Sequence, residues 1–175
     1  MGMPIRASMD VVKLGTVSTG DVWMDRHAHE SAGVLVLNRV KLHTCFSGPV
    51  QSGLTKMMVV GMGKIPSATT FHSAPTPQMK EMLLEMGQMV LDSGKIWAGL
   101  AILEDGYDQT AELHAVRPAD ILKREAELVA RHRDGPRRVQ AEHARHLELP
   151  DGRRAERGQR RADARDHRIG HRHRL

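Results

Sequence analysis

The chain has 175 residues, room for one domain with a real core and too few for two of ordinary size. Its net charge of +5 is unevenly laid down: residues 1–130 carry 12 Lys and Arg against 14 Asp and Glu, while residues 131–175 carry 14 Arg, no Lys and 7 acids. A slightly acidic body with five aromatic residues argues against nucleic-acid binding there, and the single cysteine, Cys45, excludes an intrachain disulfide or a cysteine metal cluster.

The opening "MGMPIRASMDVVKLG" has no apolar run of the secretory kind, and Arg6 breaks the myristoylation pattern. No apolar stretch approaches the roughly 20 residues that span a bilayer. These observations predict a soluble, cytoplasmic protein. "DRHAHES" reads as a helix start capped by Asp25. The spacing of His27 and His29 chelates a metal on a strand but diverges on a helix, so both are assigned to the surface. "GVLVLNRV" (33–40) is short, β-branched and continuously apolar, the mark of a strand covered on both faces.

Residues 41–72, "KLHTCFSGPVQSGLTKMMVVGMGKIPSATTFH", hold two histidines and three lysines without one carboxylate. His43 lies just past the predicted strand, where α/β sheets bind ligands, and an imidazole there suits a general base. On spacing alone, a lone loop histidine is more often an ordinary surface residue. A helix is predicted over "SGLTKMMVVG" from about Ser52, with Leu54, Met57 and Met58 on one face. Lys56 points away from them, flanked by Val59 and Val60. Desolvation there would leave a nucleophilic amine, although a snorkelling stem fits the same spacing. "GPVQSGLTK" is not a Walker A loop, because Leu54 stands where the lysine must follow Gly53. Gly48 and Gly53 still permit backbone N–H groups to approach an anion. His72 is unremarkable by itself.

Residues 76–94 form the clearest predicted helix, with Met79, Met82, Leu83, Met86, Met89 and Val90 on one stripe. Thr76 is its expected cap, Pro77 its first turn and Gly94 its end. "IWAGLAIL" (96–103) reads as a second buried strand and "PADILKREAELVA" (118–130) as a final amphipathic helix. The alternation predicts an α/β fold with a mainly parallel sheet and flanking helices. From residue 131 the chain is built of Arg, Ala, Gly, Asp, His and Pro, a composition that predicts disorder. A basic arm for nucleic acid and a GC-rich gene read out of frame both account for it; the absence of Lys favours the second.

"NRVKLHTCFSGPVQSGLTKMMVVGMGK", the histidine after it and "GLAILEDGYDQTAELHAV" resemble the amino-terminal domain of the nickel-dependent lactate racemase family, nearest its racemase-like branch. The resemblance spans roughly residues 4–130. It implies a two-domain isomerase that racemises or epimerises a 2-hydroxy acid by hydride transfer to a nickel-pincer nucleotide. By the same resemblance Lys56 is the cofactor-linked lysine, His72 the nickel ligand and His43 one of two acid/base histidines, with Gly48 and Gly53 in the cofactor loop. The 16-residue step from Lys56 to His72 agrees with the family's spacing. Two departures bear on the substrate: the loop from His43 to Lys56 is longer, and Lys41 replaces an acidic residue. An anionic substrate and cofactor phosphate would explain a stretch cleared of Asp and Glu with Lys41 and Lys64 beside it. The second acid/base histidine, the family's phosphate-binding signature and its second domain match nothing here, so the expectation is an incomplete, inactive piece of the enzyme. Two other readings are a small nucleic-acid-binding protein working through the basic tail, and a degenerate pseudo-enzyme that pairs with a partner subunit.

Overall fold

Two strands not anticipated from the sequence come first: β1 (Val11–Val17) and β2 (Gly20–Asp25), paired antiparallel. Gly20 sits in the turn at φ +135°, a conformation that L side chains rarely adopt. Along β2, Val22 and Met24 are buried while their neighbours are half-exposed, the period-2 pattern of a one-faced strand. This computed structural model describes residues 2, 4–44 and 46–133, all within one compact unit, Met1–Ala141. A second unit, Glu142–Leu175, lies outside the described residues, as do Cys45 and the disorder expected beyond Arg133.

The short helix α1 (Arg26–Glu30) starts on Asp25, whose carboxylate accepts the Ala28 N–H at 2.9 Å. His27 and His29 are half-buried on it, not fully at the surface as expected. β3 (Val34–Arg39) then pairs parallel with β4 (Ile96–Glu104), which pairs antiparallel with β5 (Thr110–Val116). The sheet, in the order β3-β4-β5, is therefore mixed and not mainly parallel. The reason is local. Only residues 105–109 separate β4 from β5, and the Asp105 carboxylate ties that turn by accepting the N–H groups of Tyr107 and Gln109 at 2.8 and 3.0 Å. So short a connection can only fold back; a parallel partner needs a crossover.

A second expectation fails on β3. Val36 is buried, but Leu35 and Leu37 are 59% and 48% exposed. Helices pack on one face of the sheet, and the other face leaves Leu35, Leu37 and Leu113 open to solvent, with Trp97 exposed at the irregularity where β4 meets β3.

On the covered face the chain first forms α2 (Leu54–Lys56), which runs into a π-helical turn at Met57–Gly61 closed by Met62 N–H on Met57 O at 2.8 Å. The predicted helix is there, but it starts at Leu54 and widens after Lys56. α3 (Lys64–Ser73) follows, then a 3-10 turn over Thr76–Gln78 that leads into α4 (Met79–Asp92). Thr76 makes no side-chain cap bond; Pro77 takes the first turn, and Gly94 ends the helix at φ +68°. The methionine stripe is core: Met79, Met82, Leu83, Met86 and Val90 are buried among Leu54, Met58, Phe71, Leu103 and Ile121, with Met89 packed at the edge. α5 (Ile121–Arg133) includes Arg131, His132 and Arg133, so the compositional break at residue 131 is not a structural one. Among the described residues no helix is long and apolar enough to cross a membrane.

Candidate functional site

Beyond β3 the buried Val40 leads to Lys41, which bridges to Ser52 through N–H···O bonds of 2.7 and 3.3 Å. The bridge pinches off the loop that carries His43. Gln51, 2% exposed, braces that loop from within. Its Oε1 accepts the His43 N–H at 2.8 Å and its Nε2 donates to Gly48 O at 3.2 Å.

The bracing sets the His43 ring against Phe46, 4.3 Å between centroids. Phe46 meets the buried Phe71 of α3 edge-on at 6.1 Å, and Phe71 meets its neighbour His72 edge-on at 5.2 Å. Lys56, at the end of α2, sends its amine into this group: Nζ lies 2.9 Å from His43 Nε2 and 5.8 Å from the Phe71 centroid. The structure thus gathers His43, Lys56 and the neighbourhood of His72 around the chain's two phenylalanines. His72 itself is exposed and opens the cluster to solvent.

Burial lowers the pKa of His43, and the nearby charges of Lys56 and His72 push it the same way. The ring is neutral at physiological pH, the form that accepts a proton. An ammonium donating to Nε2 requires the His43 tautomer protonated on Nδ1.

Lys41 and Lys64 are placed differently from the expectation that they wait for anions. Lys41 Nζ lies 2.6 Å from Glu104 Oε2, and Lys64 Nζ lies 3.2 Å from Asp25 Oδ2. The carboxylates missing from residues 41–72 are brought in from β4 and the end of β2. Lys41 first, then Arg39 at 3.0 Å, holds the Glu104 carboxyl below the usual range. Beside them, burial lowers the pKa of His132, with Lys41 adding to the effect and Glu104 opposing it.

Of the two glycines, Gly53 is buried against Glu125: a Cβ there would sit 2.5 Å from the carboxyl Oε1. Gly48 lines a cavity of about 360 Å³ together with Ser47, Pro49, Lys80, Val129 and Arg133, whereas His43, Lys56 and His72 do not line it.

Among the described residues no three His, Cys, Asp or Glu side chains converge as a metal-binding group. Lys56 and His72 meet the same ring, the amine 5.8 Å and the imidazole 5.2 Å from the Phe71 centroid. Sequence reasoning missed Gln51, Phe46, Phe71 and Glu125. One signal was available: residues 121, 125 and 128 share a helix face, and Glu125 is the carboxylate on it between Ile121 and Leu128. No protein-family model and no curated protein matches this chain.

Proposed function

We propose that the chain is lactate-racemase-like, carrying part of a site that racemises or epimerises a 2-hydroxy acid with a nickel-pincer nucleotide. The observation that carries the reading is the 2.9 Å approach of Lys56 Nζ to His43 Nε2, with His72 close enough to act on the same ring. When bound, the nucleotide would supply a hydride acceptor, which no side chain offers. Lys56 would hold it covalently through its amine, and His72 would complete the metal's coordination. His43 Nε2 would accept the substrate's hydroxyl proton on its own face, and the proton returned on the opposite face would come from a second acid/base group.

The charge balance supports this division of labour. With its amine unmodified, Lys56 lies 2.9 Å from His43 Nε2 and lowers that ring's pKa, second to burial. Converting the amine to an uncharged amide-type linkage would remove that second cause and let the ring's pKa rise toward its ordinary value, making it a stronger base. Each face of the keto acid needs its own proton acceptor, and among the described residues His43 supplies one. The chain alone is therefore expected to interconvert 2-hydroxy acid enantiomers slowly or not at all.

Co-expression with pincer-synthesis enzymes followed by intact-mass measurement tests the reading. The expected result is a covalent adduct on Lys56 that Lys56→Arg abolishes and that His72→Ala leaves attached but depleted of nickel. An unmodified Lys56 in wild-type protein from cells that do load a complete racemase would refute it.

A further inference from the structure

The segment that carries the Lys56 amine begins at an unusual junction. Glu125, on α5, is 1% exposed, and its Oε2 accepts both the Thr55 N–H at 2.7 Å and the Thr55 hydroxyl at 2.8 Å. Thr55 is itself fully buried and immediately precedes Lys56. From the other side, Asn38 of β3 donates to Gly53 O at 2.8 Å, and the same carbonyl accepts Met57 N–H at 3.1 Å. Gly53 leaves the room that the carboxyl group fills. The start of α2 is thus clamped between a strand and the last helix, one residue from the amine.

Apolar packing would hold α2 against α5 at less cost, because a buried carboxyl is expensive even with the Thr55 bonds, and among the described residues Glu125 Oε1 makes no hydrogen bond of good geometry. What a carboxyl adds over a leucine is direction. It fixes the Thr55 N–H and hydroxyl along set vectors, which sets the rotation of the first turn and hence where the Lys56 stem leaves it. We propose that Glu125 is a positioning residue for the Lys56–His43 pair, its bonds to Thr55 holding the amine within reach of His43 Nε2. The inference rests on the reading of that pair as the functional one.

The test is an NMR titration of His43 in the full chain, without cofactor or substrate. Among the described residues Phe46 stacks on this ring and Lys56 Nζ lies 2.9 Å from its Nε2; burial, Lys56 and His72 all lower its pKa, and the Lys56 contribution is the one that follows the position of the amine. Glu125→Leu, folded by circular dichroism, is expected to raise the His43 midpoint toward that of a free imidazole. Thr55→Val, which removes one of the two bonds and nearly keeps the shape, is expected to raise it less. Glu125→Gln, which keeps an acceptor for Thr55, should leave it where it is. A wild-type midpoint in Thr55→Val and in any folded Glu125→Leu overturns the proposal, and so does a rise in Glu125→Gln as large as in Glu125→Leu. Should Glu125→Leu not fold, Thr55→Val alone decides. Because the readout needs no adduct, a failed cofactor assay and a failed positioning role are separable.

Discussion

Glu125 and His43 show opposite uses of burial at a single residue. For His43, loss of solvent favours the neutral base that the proposed chemistry needs. For Glu125, loss of solvent raises the carboxyl pKa above its ordinary value of 4.5, against the lowering by the Thr55 and Leu54 N–H groups and the Thr55 hydroxyl. A raised carboxyl pKa in the folded state favours the protonated form. That contribution to stability is complete below the unfolded-state pKa and is lost as pH rises through the folded one. Glu125→Gln cannot ionise, so it should match the wild type in thermal melts near pH 4. At pH 7 it should melt higher, because it escapes the cost of ionising the buried carboxyl, about 1.4 kcal/mol for each tenfold by which folding weakens the acid. The residue scale is also where the sequence was least legible. His43 and Lys56 stand thirteen positions apart, and nothing in their spacing announces a contact beside Phe46 and Phe71. Glu125 left a trace as a charge on an apolar stripe; Gln51 left none.

Whole elements were easier to read when a repeat carried the signal. The α4 stripe recurs at helical spacing and is core. The widening of α2 into a π-helical turn has no local signature, since Met-Met-Val-Val fits either geometry. The β1–β2 hairpin was missed because β1 mixes Lys, Gly and Thr among its valines, although Gly20 and the alternation along β2 were there to find. β3 was misread for a different reason: a continuous apolar run predicts two covered faces, and one is open. Adjacent residues on it should therefore respond unequally. Val36→Ala, on the covered face, is expected to cost about 2 kcal/mol in chemical denaturation, and Leu37→Ala less than about 1 kcal/mol. Equal losses would mean that something covers the outer face.

At the largest scale described, within the unit Met1–Ala141, helices cover one side of the three-stranded mixed sheet, in which β4 is central and β3 and β5 flank it. Leu35, Leu37, Trp97 and Leu113 make the uncovered side conspicuously apolar. The same asymmetry governs how long each strand keeps its protons in heavy water. β4 is hydrogen-bonded along both edges, and its amides are expected to hold protium longest. In β3, amides that turn away from β4 have no sheet partner among the described residues, and they should become deuterated before those of β4. The rim from which His43 departs would then breathe at a rate set by an outlying strand rather than by the core beneath it.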